Sequence, residues 1–134
     1  MINSMKKILF VCVENAGRSQ IADGFFQKLT PDGYEGISAG TKPATQINPL
    51  VVQAMKEVGI DISDNKSKLV TNEMMEESDS VVNMGCMDKE SCPALFVENV
   101  SNWGIEDPKG KSIEDVRRIR DLIEIKVREL VSEL

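Results

Sequence analysis

Apolar and polar positions alternate in two distinct rhythms along the chain, and the rhythm changes mark its elements. "KKILFVC" is a short apolar run bounded by polar residues, the signature of a strand buried on both faces. From Ser19 to Leu29 the apolar residues Ile21, Ala22, Phe25, Phe26 and Leu29 fall at helical spacing, and "TPDG" ends the pattern with a turn. "YEGISAG" reads as a second strand. Asn48 then offers an N-cap, Pro49 suits the first turn, Val51, Val52, Met55 and Val58 share a face, and Gly59 closes the helix. "TNEMMEES" gives a weaker helix and "SVVNMG" a third strand. "CMDKESCPAL" is a short helix or loop, and "ENVSNW" a short fourth strand.

Ser112, with Asp115 three residues on, forms a capping box at the start of the last helix. Its apolar face runs through Ile113, Val116, Ile119, Ile123, Val127, Leu130 and Leu134. Strands alternating with helices, without repeats or linkers, predict a single α/β domain over residues 1–134, with a parallel sheet covered on both faces. In open parallel sheets ligands bind beyond the carboxyl ends of the strands. Cys12 ends the first strand, Cys86 follows the third and Asp107 follows the fourth. If the first and third strands are neighbours, their ends lie roughly 5 Å apart.

Composition narrows the function. The chain has 134 residues, 41% of them apolar, as expected for one domain with a core of its own. A net charge of −6 argues against non-specific nucleic-acid binding, which draws on a basic face. Any bound anion must therefore be held by a local site. The N-terminal apolar run is too short for a signal peptide or a membrane span, so a cytoplasmic protein with no membrane partner is expected. There the three cysteines should stay reduced at rest. No histidine is present, which removes the commonest general base and a common metal ligand.

The stretch "VCVENAGRSQ" carries the chemistry. A loop from strand end to helix start turns successive backbone N–H groups inward, and the helix adds its positive dipole end. Val13, Glu14, Asn15, Ala16, Gly17 and Arg18 are the residues of such an oxyanion-binding loop. Arg18 brings a planar fork that can grip two oxygens of a tetrahedral anion. The same field favours a thiolate, so Cys12 is expected to be nucleophilic. Ser19 can donate a hydrogen bond to the sulfur, while Asn15 and Gly17 suit positive-φ turns. Ser38 in "ISAG" reads either as hydrogen-bonded support for the loop or as an ordinary strand-end serine. Asp107 in "DP" reads as an acid facing the anion or as a plain turn residue. Cys86 and Cys92 read as redox partners of Cys12 or as buried core thiols. A zinc site would need carboxylates beside the thiols and is not expected. Met74, Met75, Met84 and Met87 read as core filler.

"CVENAGRS" with a later "DP" resembles the low-molecular-weight protein tyrosine phosphatase superfamily, and within it the thioredoxin-coupled arsenate reductases. "ISAG", "NPLVVQAMKEVGIDIS", "CMDKESCP" and "WGIEDPKGKSIEDVRRIRD" extend the resemblance over nearly the whole chain. The resemblance implies a four-stranded parallel sheet of order 2-1-3-4 flanked by helices on both faces. It also implies Cys12 as nucleophile, Arg18 as oxyanion clamp, Asp107 as general acid, and Cys86 and Cys92 as a resolving pair. The implied activity is reduction of arsenate to arsenite, with no bound cofactor and with electrons from thioredoxin or a similar dithiol donor. The alternative is hydrolysis of phosphomonoesters through a phosphocysteine. A monomer that binds arsenate, phosphate or sulfate in its loop is expected.

Two departures from the family pattern stand out. Glu14 lies inside the anion loop, where an inward carboxylate would oppose both anion and thiolate, so it is expected to point to solvent. Some reductases of the family bind potassium near the loop through residues that include an aspartate. The matching position here is Lys68, with Lys66 close by, and a lysine ammonium is expected to replace the metal's charge.

Overall fold

A computed structural model describes residues 5–85 and 100–134. Strand β1 (Lys6–Cys12) runs through the centre of the sheet, because its last five residues are all buried and can be covered only from both sides. It is followed by α1 (Arg18–Leu29), β2 (Tyr34–Gly40), α2 (Pro49–Glu57), α3 (Asn72–Glu77), β3 (Ser80–Asn83), β4 (Val100–Asn102) and α4 (Ile113–Ser132). The four strands form one sheet of order β2-β1-β3-β4. All three pairings are parallel, with Cys12 opposite Gly40, Val11 opposite Asn83, and Asn83 opposite Asn102. The expected topology is therefore the observed one, and it delivers the ends of β1, β3 and β4 to one edge.

Local chemistry sets the helix limits. The Asn48 side chain accepts a hydrogen bond from the Leu50 N–H at 3.0 Å, Thr71 caps α3 through the Met74 N–H, and Ser112 accepts from the Asp115 N–H at 3.2 Å. Helix α2 ends one residue earlier than expected, at a Val58 C-cap, with Gly59 taking the positive φ of 82° just beyond. Leu134 lies past the end of α4 and is exposed, so it drops out of the apolar face assigned to it. Met87 and the "CMDKESCPAL" segment lie outside the described residues.

The core has two parts, one on each face of the sheet. Phe10, Ile8 and Val82 meet α1, α2 and α4 through Phe26, Ile21, Met55, Ile119 and Ile123. Leu9, Val11, Ala39 and Val81 meet Val70 and Met75 on the other face. Strand residues of opposite parity feed the two clusters, as the period-two pleat requires. Phe10 packs edge-on against Phe26 with ring centroids 5.7 Å apart, which anchors β1 to α1. These two elements carry the loop between them, so this packing fixes both ends of the loop. Among the described residues no helix is long and apolar enough to cross a membrane.

Candidate active site

Cys12 closes β1 as a free, buried thiol, and α1 begins six residues later at Arg18 rather than at Ser19. The N-cap of α1 is Gly17, which has no capping side chain, and no acidic residue lies in the first turn. A helix start left in this condition keeps its N–H groups and its positive end for a ligand. The Cys12 Sγ receives the Asn15 N–H at 3.3 Å and lies 2.9 Å from the Ser19 Oγ. Both contacts hold the sulfur in place at the mouth of the loop.

Asn15 organises the loop from behind. It is fully buried with φ of 51°, the left-handed conformation that asparagine tolerates better than most residues. Its Nδ2 donates to the Ser19 Oγ at 2.7 Å and its Oδ1 accepts from the Lys68 N–H at 2.8 Å. Its carbonyl accepts from Gln20 Nε2 at 3.1 Å and from Ser67 Oγ at 3.0 Å. The Val13 carbonyl accepts from the Lys42 N–H at 2.8 Å, and the Ala16 carbonyl from the Asn48 N–H at 2.9 Å. The loop is thus pinned by the chain segments after β2 and before α3.

Gly17 departs from expectation. Its φ is −141°, so Asn15 alone takes the left-handed turn. Glycine is needed for closeness instead, since a Cβ there would sit 2.8 Å from the Pro108 Cγ. The Asp107–Pro108 segment therefore packs straight onto the anion loop.

Arg18 is buried, with its side chain 9% exposed, and its Nη1 donates to the Ile105 carbonyl at 3.1 Å. Its Nη2 is 3.6 Å from the Asp107 Oδ2. A side chain on Gly85 would run into the guanidinium, so a glycine just after β3 makes room for the arginine. The other Asp107 oxygen accepts from the Lys109 N–H at 3.0 Å, which holds the half-exposed carboxyl in one orientation. Cys12, Glu14, Ala16, Gly17, Arg18, Asp107, Pro108 and Lys109 line one cavity of about 200 Å³, with Ala44, Gln46, Ile47, Asn48 and Pro49 opposite. Three of the five residues expected to share a site are brought together there. Cys86 and Cys92 lie outside the described residues.

Two expectations are corrected. Glu14 does not run free into solvent. Its Oε1 meets the Lys109 Nζ at 2.6 Å at the rim of the cavity, and its side chain is 28% exposed. A carboxylate beside an anion loop is better satisfied by an adjacent ammonium than by water alone. Ser38, read either as support for the loop or as an ordinary strand-end serine, makes no hydrogen bond through its buried Oγ among the described residues. In register with Phe10, it faces α1 and lines a second cavity with Asp23, Gln27, Lys66 and Lys68.

In that second cavity Asp23 is 6% exposed and its Oδ1 has no hydrogen-bond partner among the described residues. Burial holds its carboxyl above the ordinary value, opposed by the Gln27 hydrogen bond and by attraction to Lys68. Potassium would need a cage of oxygens, and here Lys66 and Lys68 line the same cavity as Asp23, Gln27, Ser38 and Asn65. Gln20, Ser67, Pro108 and Lys109 escaped the sequence reading. A glutamine in the first turn of a helix, on its buried side, was the one local signal for Gln20.

The sequence matches the family "Low molecular weight phosphotyrosine protein phosphatase" over residues 7–134. An arsenate reductase of Staphylococcus aureus (strain Newman) is 39% identical over 129 residues, covering 95% of this chain and 97% of that protein. Among solved structures, an arsenate reductase in the phosphate binding state superposes with a TM-score of 0.85 at 33% identity, covering 96% of this chain and 98% of the other. The thioredoxin-dependent arsenate reductase of Corynebacterium glutamicum gives 0.82 at 34% identity, covering 99% of this chain and 63% of that one. With a match running from β1 to the C-terminal residue and a nucleophile loop built as described, the chain belongs to the low molecular weight phosphotyrosine protein phosphatase family.

Proposed function

We propose that this protein reduces arsenate to arsenite, using Cys12 as nucleophile and a relay of thiols to dispose of the oxidising equivalents. The observation that carries the reading is the Cys12 sulfur, held by the Asn15 N–H and Ser19 at the floor of a cavity it shares with Arg18 and Asp107. The 39% identity to an arsenate reductase along nearly the whole chain supports it.

In this reading the loop N–H groups and the Arg18 fork bind the tetrahedral anion. The Cys12 thiolate attacks arsenic, and Asp107 protonates the departing oxygen, which leaves as water. The Cys86 thiolate then attacks the Cys12 sulfur. The electron pair of the S–As bond passes to arsenic, arsenite departs, and a Cys12–Cys86 disulfide remains. Attack by Cys92 on Cys86 releases Cys12 as a thiolate and leaves a Cys86–Cys92 disulfide for a dithiol donor such as thioredoxin. No metal or bound cofactor enters, and with Lys68 beside Asp23 no activation by potassium over sodium is expected. Thiols reduced at rest fit a monomer working in the cytoplasm.

Phosphomonoester hydrolysis is the second reading, favoured by the family match and by the shared shape and charge of phosphate and arsenate. Hydrolysis uses Cys12, Arg18 and Asp107 only. Arsenate-dependent NADPH oxidation with thioredoxin and thioredoxin reductase, run beside aryl-phosphate hydrolysis, separates the two. Cys92→Ser is expected to stop repeated arsenate turnover and leave hydrolysis intact. Hydrolysis without any arsenate turnover in the unmodified protein would make this a phosphatase.

A further inference from the structure

Glu14 and Lys109 are 95 positions apart in sequence, yet their side chains join at 2.6 Å over the cavity that holds Cys12. Glu14 belongs to the anion loop, and its carbonyl is fixed by the Ala44 N–H at 2.9 Å. Lys109 follows the Asp107–Pro108 pair, and its own N–H orients Asp107 at 3.0 Å. The ion pair therefore ties the anion loop to the acid loop. The hydrogen bond to Glu14 and the attraction of its carboxylate, with a weaker pull from Asp107, raise the Lys109 pKa against a small opposing effect of burial.

The position of this pair has a chemical meaning. A group attacked by Cys12 leaves in line, on the side away from the sulfur, and takes its proton from an acid beside it. Any organic substituent on the leaving oxygen must then exit next to Asp107. Lys109 stands two residues from Asp107 and reaches across that exit to Glu14. Arsenate loses only water and needs no exit for a substituent. A phosphomonoester needs one.

We propose that the Glu14–Lys109 pair is a specificity device, which admits small inorganic tetrahedral oxyanions and disfavours their organic esters, while Lys109 masks a Glu14 charge that would otherwise repel the anion. The proposal rests on the reading of Cys12 and Asp107 as nucleophile and acid. Glu14 lies at the rim and Lys109 is 73% exposed, so the pair is weak and the selection modest.

The test uses three readouts on the full chain. Protection of Cys12 from iodoacetate by inorganic phosphate reports anion binding without turnover. Hydrolysis of p-nitrophenyl phosphate reports ester use, and thioredoxin-coupled turnover reports arsenate use. Glu14→Ala and the double variant Glu14→Ala/Lys109→Ala should raise kcat/KM for the ester about fivefold relative to phosphate affinity. Lys109→Ala alone should weaken phosphate protection about tenfold by uncovering Glu14, and the double variant should restore it. The charge-reversed variant Glu14→Lys/Lys109→Glu should re-form the pair and return ester use toward the original level. An ester-to-phosphate ratio unchanged within twofold in Glu14→Ala overturns the proposal. So does a loss in Lys109→Ala that persists in the double variant. Absent arsenate turnover in the unmodified protein would sink the reductase reading alone, because the phosphate and ester readouts do not depend on it.

Discussion

Ser19 Oγ stands 2.9 Å from the Cys12 Sγ while accepting a hydrogen bond from Asn15 Nδ2 at 2.7 Å. With the amide donating to its oxygen, the hydroxyl is left to direct its own proton at the sulfur. A hydrogen bond to a charged acceptor contributes more than one between neutral groups. Ser19→Ala is therefore expected to slow turnover about tenfold and to slow alkylation of Cys12 at a fixed pH. An alkylation rate identical to that of the unaltered protein would show that the serine does not serve the nucleophile.

Asp107 is held from two sides, by the Lys109 N–H at 3.0 Å and by Arg18 at 3.6 Å. If it delivers the proton to the leaving oxygen, Asp107→Asn should lower kcat about a hundredfold. Binding of the anion should be preserved, since the loop N–H groups and the Arg18 fork are left in place. Stopped-flow traces at saturating substrate, with phosphate protection of Cys12 measured in parallel, would check both parts. A rise in KM at constant kcat would assign Asp107 to binding instead.

The strands, the helices and the nucleophile loop were legible in the sequence because each depends on local spacing. The apolar run of residues 6–12 and the helical spacing from Ile21 to Leu29 bracket Cys12 and Arg18 without help from the rest of the fold. What could not be read was whatever depends on distant segments meeting. The Glu14–Lys109 pair joins two loops, and Asn15 is satisfied by Lys68 and Ser67 from a third. Gly17 was misread for a related reason. Its glycine answers the approach of Pro108, which no backbone preference at position 17 could reveal.

Gly17→Ala tests that contact. The added Cβ would meet the Pro108 ring at 2.8 Å, and a ring buried against the loop cannot swing away as a flexible side chain can. Overpacking of this kind costs about 1–3 kcal/mol. The displaced Pro108 would carry Asp107 with it. We expect a lower melting temperature together with a loss of kcat that exceeds any loss of phosphate affinity. Unchanged kcat with lowered stability would mean that the acid loop shifts without consequence for proton delivery.

Asp23 gives a dependence of stability on pH whose sign follows from its surroundings. Its carboxyl is buried under β2, with one oxygen unpartnered and Gln27, Ser38, Lys66 and Lys68 around the same cavity. Burial outweighs the Gln27 hydrogen bond and the pull of Lys68, so the folded chain holds this proton more tightly than the unfolded one, whose ordinary value is 3.8. Between those two values the folded state binds more protons. Stability contributed at this residue therefore falls as pH rises through that window, and the deficit is complete above the folded value. Asp23→Asn removes the ionisation while keeping an oxygen for Gln27. The stability of the variant minus that of the unaltered protein should grow as pH is raised from about 4 toward neutrality, then level off. Urea unfolding of both proteins across that range provides the measurement. A difference independent of pH would show that Lys68 compensates the buried carboxylate in full.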